Sequence, residues 1–278
     1  MPPAEAFAEL TRAVAASLAT YSNVHRGSGH HSLASTRLYE QARTVVLEHL
    51  GLREGDHLVV FCTPRRAAHL TAQLPPGAHH RVSSADLGLP LGVTALAIER
   101  RSLPRAIPFL TGGGTARLVS NGWIVWARPP DRFEAGTPAI VNVIAMAKAL
   151  TLVRRFGPGA FRSIPNEPRH DALCGLQGSE LLAVLRRTLI GLGATVPTVD
   201  GPRPFVNLDN AASTPTFAPI WDAVRSAWSQ PPDVQQSLVR EARSVCARFL
   251  GAPPDGYDVI FTSNTTEAVN LVAESLSK

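Results

Sequence analysis

The sequence predicts a mixed α/β protein, and two observations support that prediction. First, 45% of the 278 residues are hydrophobic and 18% are charged, which is enough apolar surface for a packed core and argues against global disorder. Second, stretches with the period of an amphipathic helix are followed by short apolar runs that are typical of buried strands. The length allows one large domain or two small ones, at roughly 100–200 residues per domain.

The same structural unit is predicted twice along the chain, at an offset of 200 residues without a gap. The aligned positions share an Ala-Arg pair, a Leu-Gly pair and a short apolar run that ends in Phe: residues 39–45 with 239–245, 50–51 with 250–251, and 58–61 with 258–261. Each copy predicts an amphipathic helix that ends near a glycine, a short turn, a buried strand, and a loop that opens a second helix. A repeat of this kind indicates two related segments.

The segment between the two copies has the composition of a linker. It contains the turn-forming strings GPG, IPNEPRH and DGPRPF, which interrupt helices and strands rather than extend them. Within it, residues 178–192 predict one helix that ends at Gly191 or Gly193. The predicted organisation is a first copy over residues 1–156, a linker over 157–204 and a second copy over 205–278.

The composition argues against several classes of function. The net charge is +5, but the 27 basic residues are scattered, whereas nucleic-acid-binding proteins cluster them on one face. The three cysteines form no C-x-x-C, so no disulfide framework or zinc knuckle is indicated, and Cys62 and Cys246 are interpreted as packing residues. The most apolar stretch, residues 139–153, is too short to cross a bilayer, and the N-terminus lacks a signal-peptide pattern. We therefore expect a cytoplasmic protein that binds neither nucleic acid nor membranes.

Histidines and glycines form two further candidate sites. His25, His30 and His31 lie within seven residues, but a metal site would need a carboxylate converging with them, so a solvated loop is favoured. The three glycines at residues 112–114 could cradle a phosphate, but no Gly-Lys-Ser/Thr follows them. A tight turn is favoured there.

A polar loop precedes the last predicted helix of the second copy. Residues 262–267, TSNTTE, follow the predicted strand and lead into a helix over residues 268–276. Ser, Asn and Thr at a helix start satisfy free backbone N–H groups. The same N–H groups and the positive end of the helix dipole also suit a phosphate. The residue types alone leave both interpretations open.

Two motifs of the second copy resemble the start of a class V aminotransferase, the pyridoxal-phosphate family that includes the cysteine desulfurases and selenocysteine lyases. The motifs are NLDNAASTP at residues 207–215 and FTSNTTEAVN at residues 261–270, in the family's order and with the Ala-Arg helix between them. The resemblance implies the pyridoxal-phosphate transferase fold type I, here as incomplete pieces of the large domain. It also implies pyridoxal 5'-phosphate as the cofactor and a small amino acid as the substrate of a complete enzyme.

The same resemblance implies roles for individual residues. Asn264, Thr265 and Thr266 correspond to the family's loop that cradles the cofactor phosphate. Asn210 and Ala211 correspond to a segment at the substrate side.

The first copy resembles other parts of the same family. The similar segments are NVHRGSG at residues 23–29, YEQAR at 39–43, PLG at 90–92, FLTGGGT at 109–115 and RFEAGTP at 132–138. In relatives the threonine of Gly-Thr-Pro reaches the phosphate of the neighbouring subunit, which implies that role for Thr137 and a homodimer.

The lysine that the family requires is missing from its expected place. Family members form a Schiff base between the cofactor and a lysine, in a Ser-x-His-Lys segment four residues before Pro-x-Gly. Counting back from Pro90 reaches Asp86, and a carboxylate cannot form an imine. Lys148 and Lys278, the two lysines of the chain, lie outside that context. Covalent attachment of the cofactor is therefore not expected.

Other parts of the family's site are also altered or absent. Only a short segment, residues 75–82, stands where the family's central section should supply an aspartate and a stacking histidine. The first copy has Pro64, Arg65 and Arg66 at its phosphate loop. Two arginines can still attract phosphate, but a proline removes one backbone donor.

Three explanations remain open: the front of a longer tandem enzyme, a degenerate relative that serves as a scaffold, or the product of an internally deleted gene. Intact motifs favour the first explanation for the second copy, and the altered lysine position favours degeneration for the first copy. We expect a transferase- or lyase-type family protein whose single chain is inactive; the alternative is a catalytically dead dimerisation or interaction scaffold. An incomplete sheet exposes an edge and an apolar face, so self-association is expected.

Overall fold

The computed structural model describes residues 3–25, 27–105, 107–161, 173–253 and 255–277. The chain contains both helices and strands, which confirms the predicted α/β class. In chain order the elements are α1 (Pro3–Ala19), α2 (His30–Leu50), β1 (His57–Cys62), α3 (Pro64–Thr71), β2 (His79–Ser83), β3 (Thr94–Glu99), β4 (Ala116–Ser120), β5 (Trp123–Trp126), α4 (Ile140–Phe156), α5 (Gly178–Arg187), β6 (Thr195–Val196), β7 (Arg203–Pro204), α6 (Ala218–Trp228), α7 (Pro232–Phe249) and α8 (Thr265–Leu276).

A three-stranded antiparallel sheet lies in the first copy, in the order β1–β3–β2. In the central strand β3, Ala95 is opposite both Phe61 of β1 and Val82 of β2. Every residue of β3 except Glu99 is buried, as expected for a strand covered on both faces. The strand predicted over residues 58–61 is thereby confirmed as part of β1.

The two faces of this sheet pack against different helices. Val59, Phe61 and Ala97 belong to the larger apolar cluster, which includes residues of α1, α2 and α4. Val60 and Leu96, the alternate positions along the strands, pack with residues of α3. This division follows from the two-residue period of a strand, and it gives the first copy a core on each side of its sheet.

The described part of the second copy has helices but no sheet of its own. The predicted strand over residues 258–261 is wrong: these residues form no ladder in the described part of the chain. A strand needs a neighbour to satisfy its N–H and C=O groups, and none of the described strands pairs with this segment. As a result Ile260 is 60% and Phe261 is 53% exposed.

The helices of the second copy are also largely uncovered. No described residue of α7 or α8 is buried, so the packing role predicted for Cys246 is not found, and that residue is only half-buried. By contrast, Trp221 and Trp228 of α6 are buried in the core of the first copy. These two tryptophans tie the start of the second copy to the first.

The linker contains more regular structure than predicted. The helix α5 ends at Arg187, earlier than the predicted Gly191 or Gly193, and β6 and β7 form a short hairpin after it. Gly191 adopts a positive φ of 86°, and a Cβ there would lie 2.7 Å from the carbonyl oxygen of Ala19, so the chain turns at that glycine against the end of α1. The predicted linker string at residues 164–170, Arg26 and Lys278 lie outside the described residues.

The described residues contain neither a membrane-spanning helix nor a metal-binding group of side chains. None of the helices in those ranges has an apolar stretch long enough to cross a membrane. Nor do the same ranges contain three or more His, Cys, Asp or Glu side chains grouped so that they could hold a metal ion.

Candidate functional site

A buried ion pair anchors the first copy. Arg43 of α2 donates two parallel hydrogen bonds to Glu134, Nη1 to Oε1 at 2.8 Å and Nη2 to Oε2 at 2.9 Å. The two side chains are 8% and 6% exposed, and the hydroxyl of Tyr39 donates to Oε2 at 2.9 Å. Burial by itself would lower the pKa of Arg43, but the charge of Glu134 raises it above its usual value. The guanidinium is therefore a permanent cation inside the core.

The same ion pair closes the outer edge of β1. Arg43 Nη1 donates to the carbonyl oxygen of Val59 at 2.6 Å, and the backbone N–H of Phe61 donates to Glu134 Oε1 at 2.7 Å. An edge strand with free N–H and C=O groups can pair with another chain. The Arg43–Glu134 pair takes the place of a further strand at this edge.

The start of α8 lies against the turn that follows Glu134. Asn264 is the N-cap of α8, because its Oδ1 accepts from the backbone N–H of Glu267 at 2.9 Å. Its Nδ2 donates to the carbonyl oxygens of Ala135 and Thr137, at 3.3 and 2.9 Å. One side chain therefore both begins the last helix and joins it to the first copy. That helix begins at Thr265, three residues before the predicted start at residue 268.

Two glycines allow this close approach. Gly136 has a positive φ of 83°, and a Cβ on it would lie 2.5 Å from Asn264 Oδ1. A Cβ on Gly112 would overlap the methyl group of Thr266. The hydroxyl of Thr115 donates to the carbonyl oxygen of Gly112 at 2.7 Å, so the triple-glycine segment is a tight turn, as favoured from the sequence. The turns at Gly112 and Gly136 together form the surface against which α8 packs.

One carboxylate joins equivalent loops of the two copies. Glu267 Oε1 accepts from the hydroxyl of Thr63 at 2.7 Å, and Oε2 accepts from the amide and hydroxyl of Ser263 at 2.8 and 2.6 Å. Thr63 and Ser263 correspond at the 200-residue offset. Burial tends to raise the pKa of Glu267, but the hydrogen bonds from Ser263 and Thr63 hold it below its usual value.

The N-terminus of α8 offers donors with no partner in the described part of the chain. The backbone amides of Thr265 and Thr266, the first two residues of the helix, donate to no described group, and neither do their hydroxyls. The hydroxyl of Thr137 is equally free among these residues, while its carbonyl oxygen is held by Asn264. Unpaired amides at a helix N-terminus suit an anion such as a phosphate. The structure thus brings Thr137, Asn264 and Thr266 to one junction, with Thr265 exposed beside them.

The two predicted substrate-facing residues lie at a different place. Asn210 and Ala211 are exposed, in a turn where the Ser213 hydroxyl donates to the carbonyl oxygen of Asp209 at 2.8 Å. A cleft of about 240 Å³ lies next to this turn and is lined by Asn23, His31, Phe205, Asn207 and Ser213, among others. The predicted role of Asn210 and Ala211 stays a prediction.

One of the three histidines departs from the solvated loop expected from the sequence: His25 and His30 are exposed, but His31 is buried. His30 and His31 begin α2, and His31 is only 3% exposed. Its ring lies 4.0 Å from that of Phe205, between ring centres. Burial lowers the pKa of His31, and its ring packs against Phe205 at the start of the second copy.

No described lysine lies at this junction. Asp86, the residue predicted from the sequence to stand in place of the lysine, accepts from the backbone N–H of Ser83 at 2.9 Å and so caps a single helical turn. Lys148 forms an ion pair with Glu9 of α1, Nζ to Oε1 at 2.6 Å. It lies about 12 Å along α4 from Ile140, at 1.5 Å per residue. Asp86 and Lys148 therefore have structural partners away from the α8 N-terminus.

A cleft of about 780 Å³ opens between α3 and α8. It is lined by Arg65, Arg66 and His69 of α3 on one side and by Glu267 and Asn270 of α8 on the other. Its size is in the range of small-molecule sites.

Cys62 stands next to that cleft but is not a reactive thiol. Its sulfur lies 3.6 Å from the carbonyl oxygen of Thr94, and burial raises the pKa of Cys62 to about 12. A thiol that stays protonated is a poor nucleophile. This environment supports the packing role predicted for Cys62.

Two features of this junction were not predicted from the sequence. The Arg43–Glu134 pair joins residues that are 91 positions apart, and the Thr63–Glu267 contact joins residues that are 204 positions apart. Both residues of the ion pair lie in segments that the family resemblance had marked. A search for opposite charges between such segments could have found that pair.

Comparison with known proteins agrees with the motifs. The model of the family Aminotransferase class-V matches residues 83–189 and 206–278. Because these segments make up more than half of the chain, the chain belongs to the class-V aminotransferase family. The mixed α/β elements described above are pieces of that family's pyridoxal-phosphate fold.

Two relatives found by sequence are described as probable cysteine desulfurases. A probable cysteine desulfurase of Halobacterium salinarum is 39% identical over 74 residues, which is 27% of this chain and 18% of the relative. One of Xylella fastidiosa is 32% identical over 128 residues, 46% of this chain and 26% of the relative. The chain thus spans about a quarter or less of the length of these curated relatives.

Two solved structures that resemble this chain are also of cysteine desulfurases. The apo cysteine desulfurase of Thermococcus onnurineus is 17% identical with a TM-score of 0.42, over 53% of this chain and 65% of that one. A cysteine desulfurase of Escherichia coli is 17% identical with a TM-score of 0.40, over 57% of this chain and 67% of that one.

Proposed function

We propose that this chain binds pyridoxal 5'-phosphate through the phosphate group, without covalent attachment, and that the single chain is catalytically inactive. The observation that carries the proposal is the pair of unused amides of Thr265 and Thr266 at the N-terminus of α8. Membership of a pyridoxal-phosphate-dependent family supports the choice of cofactor. When bound in such enzymes, this cofactor supplies an electron sink for amino-acid chemistry.

The residues present fit the phosphate group of the cofactor. The backbone amides of Asn264, Thr265 and Thr266 and the hydroxyl of Thr137 would hold the phosphate. The side chain of Asn264 is already used for capping and docking, so only its amide is available. The residues present do not fit the aldehyde group of the cofactor, because Asp86 replaces the lysine that would form the Schiff base. A small amino acid would be a substrate only where a further segment or chain supplies that lysine.

The proposal is tested by titrating the purified chain with pyridoxal 5'-phosphate and following its visible absorbance. Proline is tolerated at the first position of a helix and lacks the N–H group, so Thr265→Pro removes one amide while leaving α8 able to form. We expect it to weaken binding about tenfold, the value of one charge-assisted hydrogen bond. Thr265→Val, which keeps the amide, is the matched control and isolates the hydroxyl.

Borohydride reduction followed by peptide mapping tests the absence of covalent attachment. We expect no stoichiometric labelling of a lysine. Saturable labelling of Lys148 would contradict the proposal, and so would a titration without saturation.

A second function, as an interaction scaffold, is favoured by one observation. The apolar side chains of α7 and α8 are uncovered, with Phe249 89% and Leu276 82% exposed. Exposed apolar patches of this kind mark protein–protein contact sites. Analytical ultracentrifugation over a range of concentrations tests self-association, and a monomer throughout would count against the scaffold.

A further inference from the structure

We infer that Glu267 is a positioning residue for the phosphate loop: its carboxylate bridges the equivalent hydroxyl groups of Thr63 and Ser263 and thereby holds the start of α8 against Thr137. The phosphate part of this inference rests on the proposed function. The docking part stands on the contacts alone.

The bridge uses both oxygens of the carboxylate. The three hydrogen bonds that it accepts are between 2.6 and 2.8 Å long, the short range typical of charged acceptors. Two of the donors belong to Ser263 in its own loop, and the third is the hydroxyl of Thr63 in the first copy. Because Thr63 and Ser263 are repeat-equivalent, the two copies meet through matching positions around one shared charge.

The bridge also places negative charge where two helices need it. Thr63 is the N-cap of α3 and Asn264 is the N-cap of α8, so the N-terminal ends of both helices face this junction. Each end carries a partial positive charge from the helix dipole. Without Glu267 these two ends, together with the nearby Arg66, would repel one another. The carboxylate therefore favours the approach of the second copy to the first.

Two separate contacts fix the first turn of α8. Asn264 holds the turn to the carbonyl oxygens of Ala135 and Thr137, and Glu267 holds it to the hydroxyl of Thr63. A helix attached at one point could still pivot, whereas attachment at two points sets its direction. Thr137 can assist a phosphate on the α8 amides only while α8 is docked in this way.

The docking part is tested by amide hydrogen exchange on the full chain. Glu267→Gln removes the charge and places an amide donor next to the Ser263 donors. We expect exchange at the amides of Ser263 and Glu267 to become about tenfold faster or more, while the amides of Ala95 and Ala97 in β3 keep their protection. The matched control is Glu274→Gln, which removes an exposed carboxylate from the same helix and should change neither set.

A second pair of variants tests the hydroxyl of Thr63, which both contacts Glu267 and caps α3. Thr63→Val removes the hydroxyl donor, and Thr63→Ser keeps it. We expect Thr63→Val to speed exchange at the Ser263 amide and to weaken the binding of inorganic phosphate and pyridoxal 5'-phosphate several-fold, to about tenfold for one lost hydrogen bond. Thr63→Ser should restore both, which a general loss of packing at residue 63 would not allow.

The outcomes separate this inference from the proposed function. If neither Glu267→Gln nor Thr63→Val changes local exchange, the bridge does not position α8 and the inference fails, whatever the chain binds. If both variants change exchange but the wild type binds neither phosphate probe, the proposed function fails and the docking role stands.

Discussion

The helices α2 and α7 occupy equivalent places in the two copies, yet their environments are opposite. In α2, Arg43 is buried and bonded twice to Glu134. In α7, the equivalent Arg243 is exposed and has no partner among the described residues. Tyr39 is fully buried, whereas its counterpart Val239 is 45% exposed.

The difference lies in what surrounds each helix. α2 packs against α4, β1 and β3, and the turn after β5 supplies Glu134. The described part of the second copy has no such elements. An amphipathic pattern therefore predicts that one face of a helix is buried against other elements. It does not show that the chain itself supplies those elements.

The largest effect expected from this comparison is on stability. Phe61 is 6% exposed and its counterpart Phe261 is 53% exposed. We expect Phe61→Ala to lower the free energy of unfolding by about 3–5 kcal/mol, the usual cost of deleting a buried aromatic ring. Phe261→Ala should cost less than about 1 kcal/mol, as substitutions outside a core do. Urea unfolding of both variants measures the difference.

Equal losses for the two variants would break the comparison. They would mean that the segment around Phe261 is packed as tightly in solution as β1 is. The fluorescence of the four tryptophans, of which Trp221 and Trp228 of α6 are buried, reports whether each variant remains folded before unfolding begins.

The next effect is on thiol reactivity. Burial raises the pKa of Cys62 to about 12, so only about one part in ten thousand is thiolate at pH 8. Cys246 is half-buried on the uncovered helix α7, and Cys174 is exposed. We expect iodoacetamide at pH 8 to label Cys246 at least about 100-fold faster than Cys62. Mass spectrometry of digests over time measures both rates, with Cys174 as the exposed reference.

Similar rates for Cys62 and Cys246 would have one clear meaning. They would show that the first copy opens often enough to expose β1, so that the thiols of both copies are equally accessible to solvent. The Cys174 rate would then distinguish local opening from poor labelling conditions.

Local features of the fold were predictable from the sequence, and long-range ones were not. The strand at residues 58–61, the helix over residues 39–45 and the turn at residues 112–114 follow from periodicity and turn chemistry, which act over a few residues. The strand at residues 258–261 has the same local pattern but was wrongly predicted. Its formation depends on a neighbouring strand, and periodicity within the segment contains no information about that neighbour.

The candidate site was predictable to a similar extent. The resemblance to the family marked Asn264, Thr266 and Thr137, which the structure brings to one junction. It did not indicate that Asn264 would contact the backbone of Thr137, because that contact depends on how the two copies dock. The bridging role of Glu267 was missed for the same reason, since its partner Thr63 lies in the other copy.

The smallest expected effect is a dependence of stability on pH. His25 Nε2 lies 3.2 Å from Glu40 Oε1, and Glu40 is 41% exposed. The hydrogen bond to Glu40 raises the pKa of His25. Burial alone would raise the pKa of Glu40, but the hydrogen bonds from His25 and Arg43 lower it. The pair is therefore charged between the two pKa values.

Because the folded state binds the histidine proton more tightly than the unfolded state does, this contribution is complete below the unfolded pKa of about 6.5 and is lost as the pH rises through the higher folded pKa. We expect His25→Gln to destabilise the chain more at pH 5.5 than at pH 8, by less than about 1 kcal/mol for a half-exposed pair. Arg225→Gln is the control, because Arg225 also forms a part-exposed ion pair, with Asp222, and arginine stays charged over this range. A His25→Gln effect that is the same at both pH values would show that the Glu40 contact is not maintained in solution.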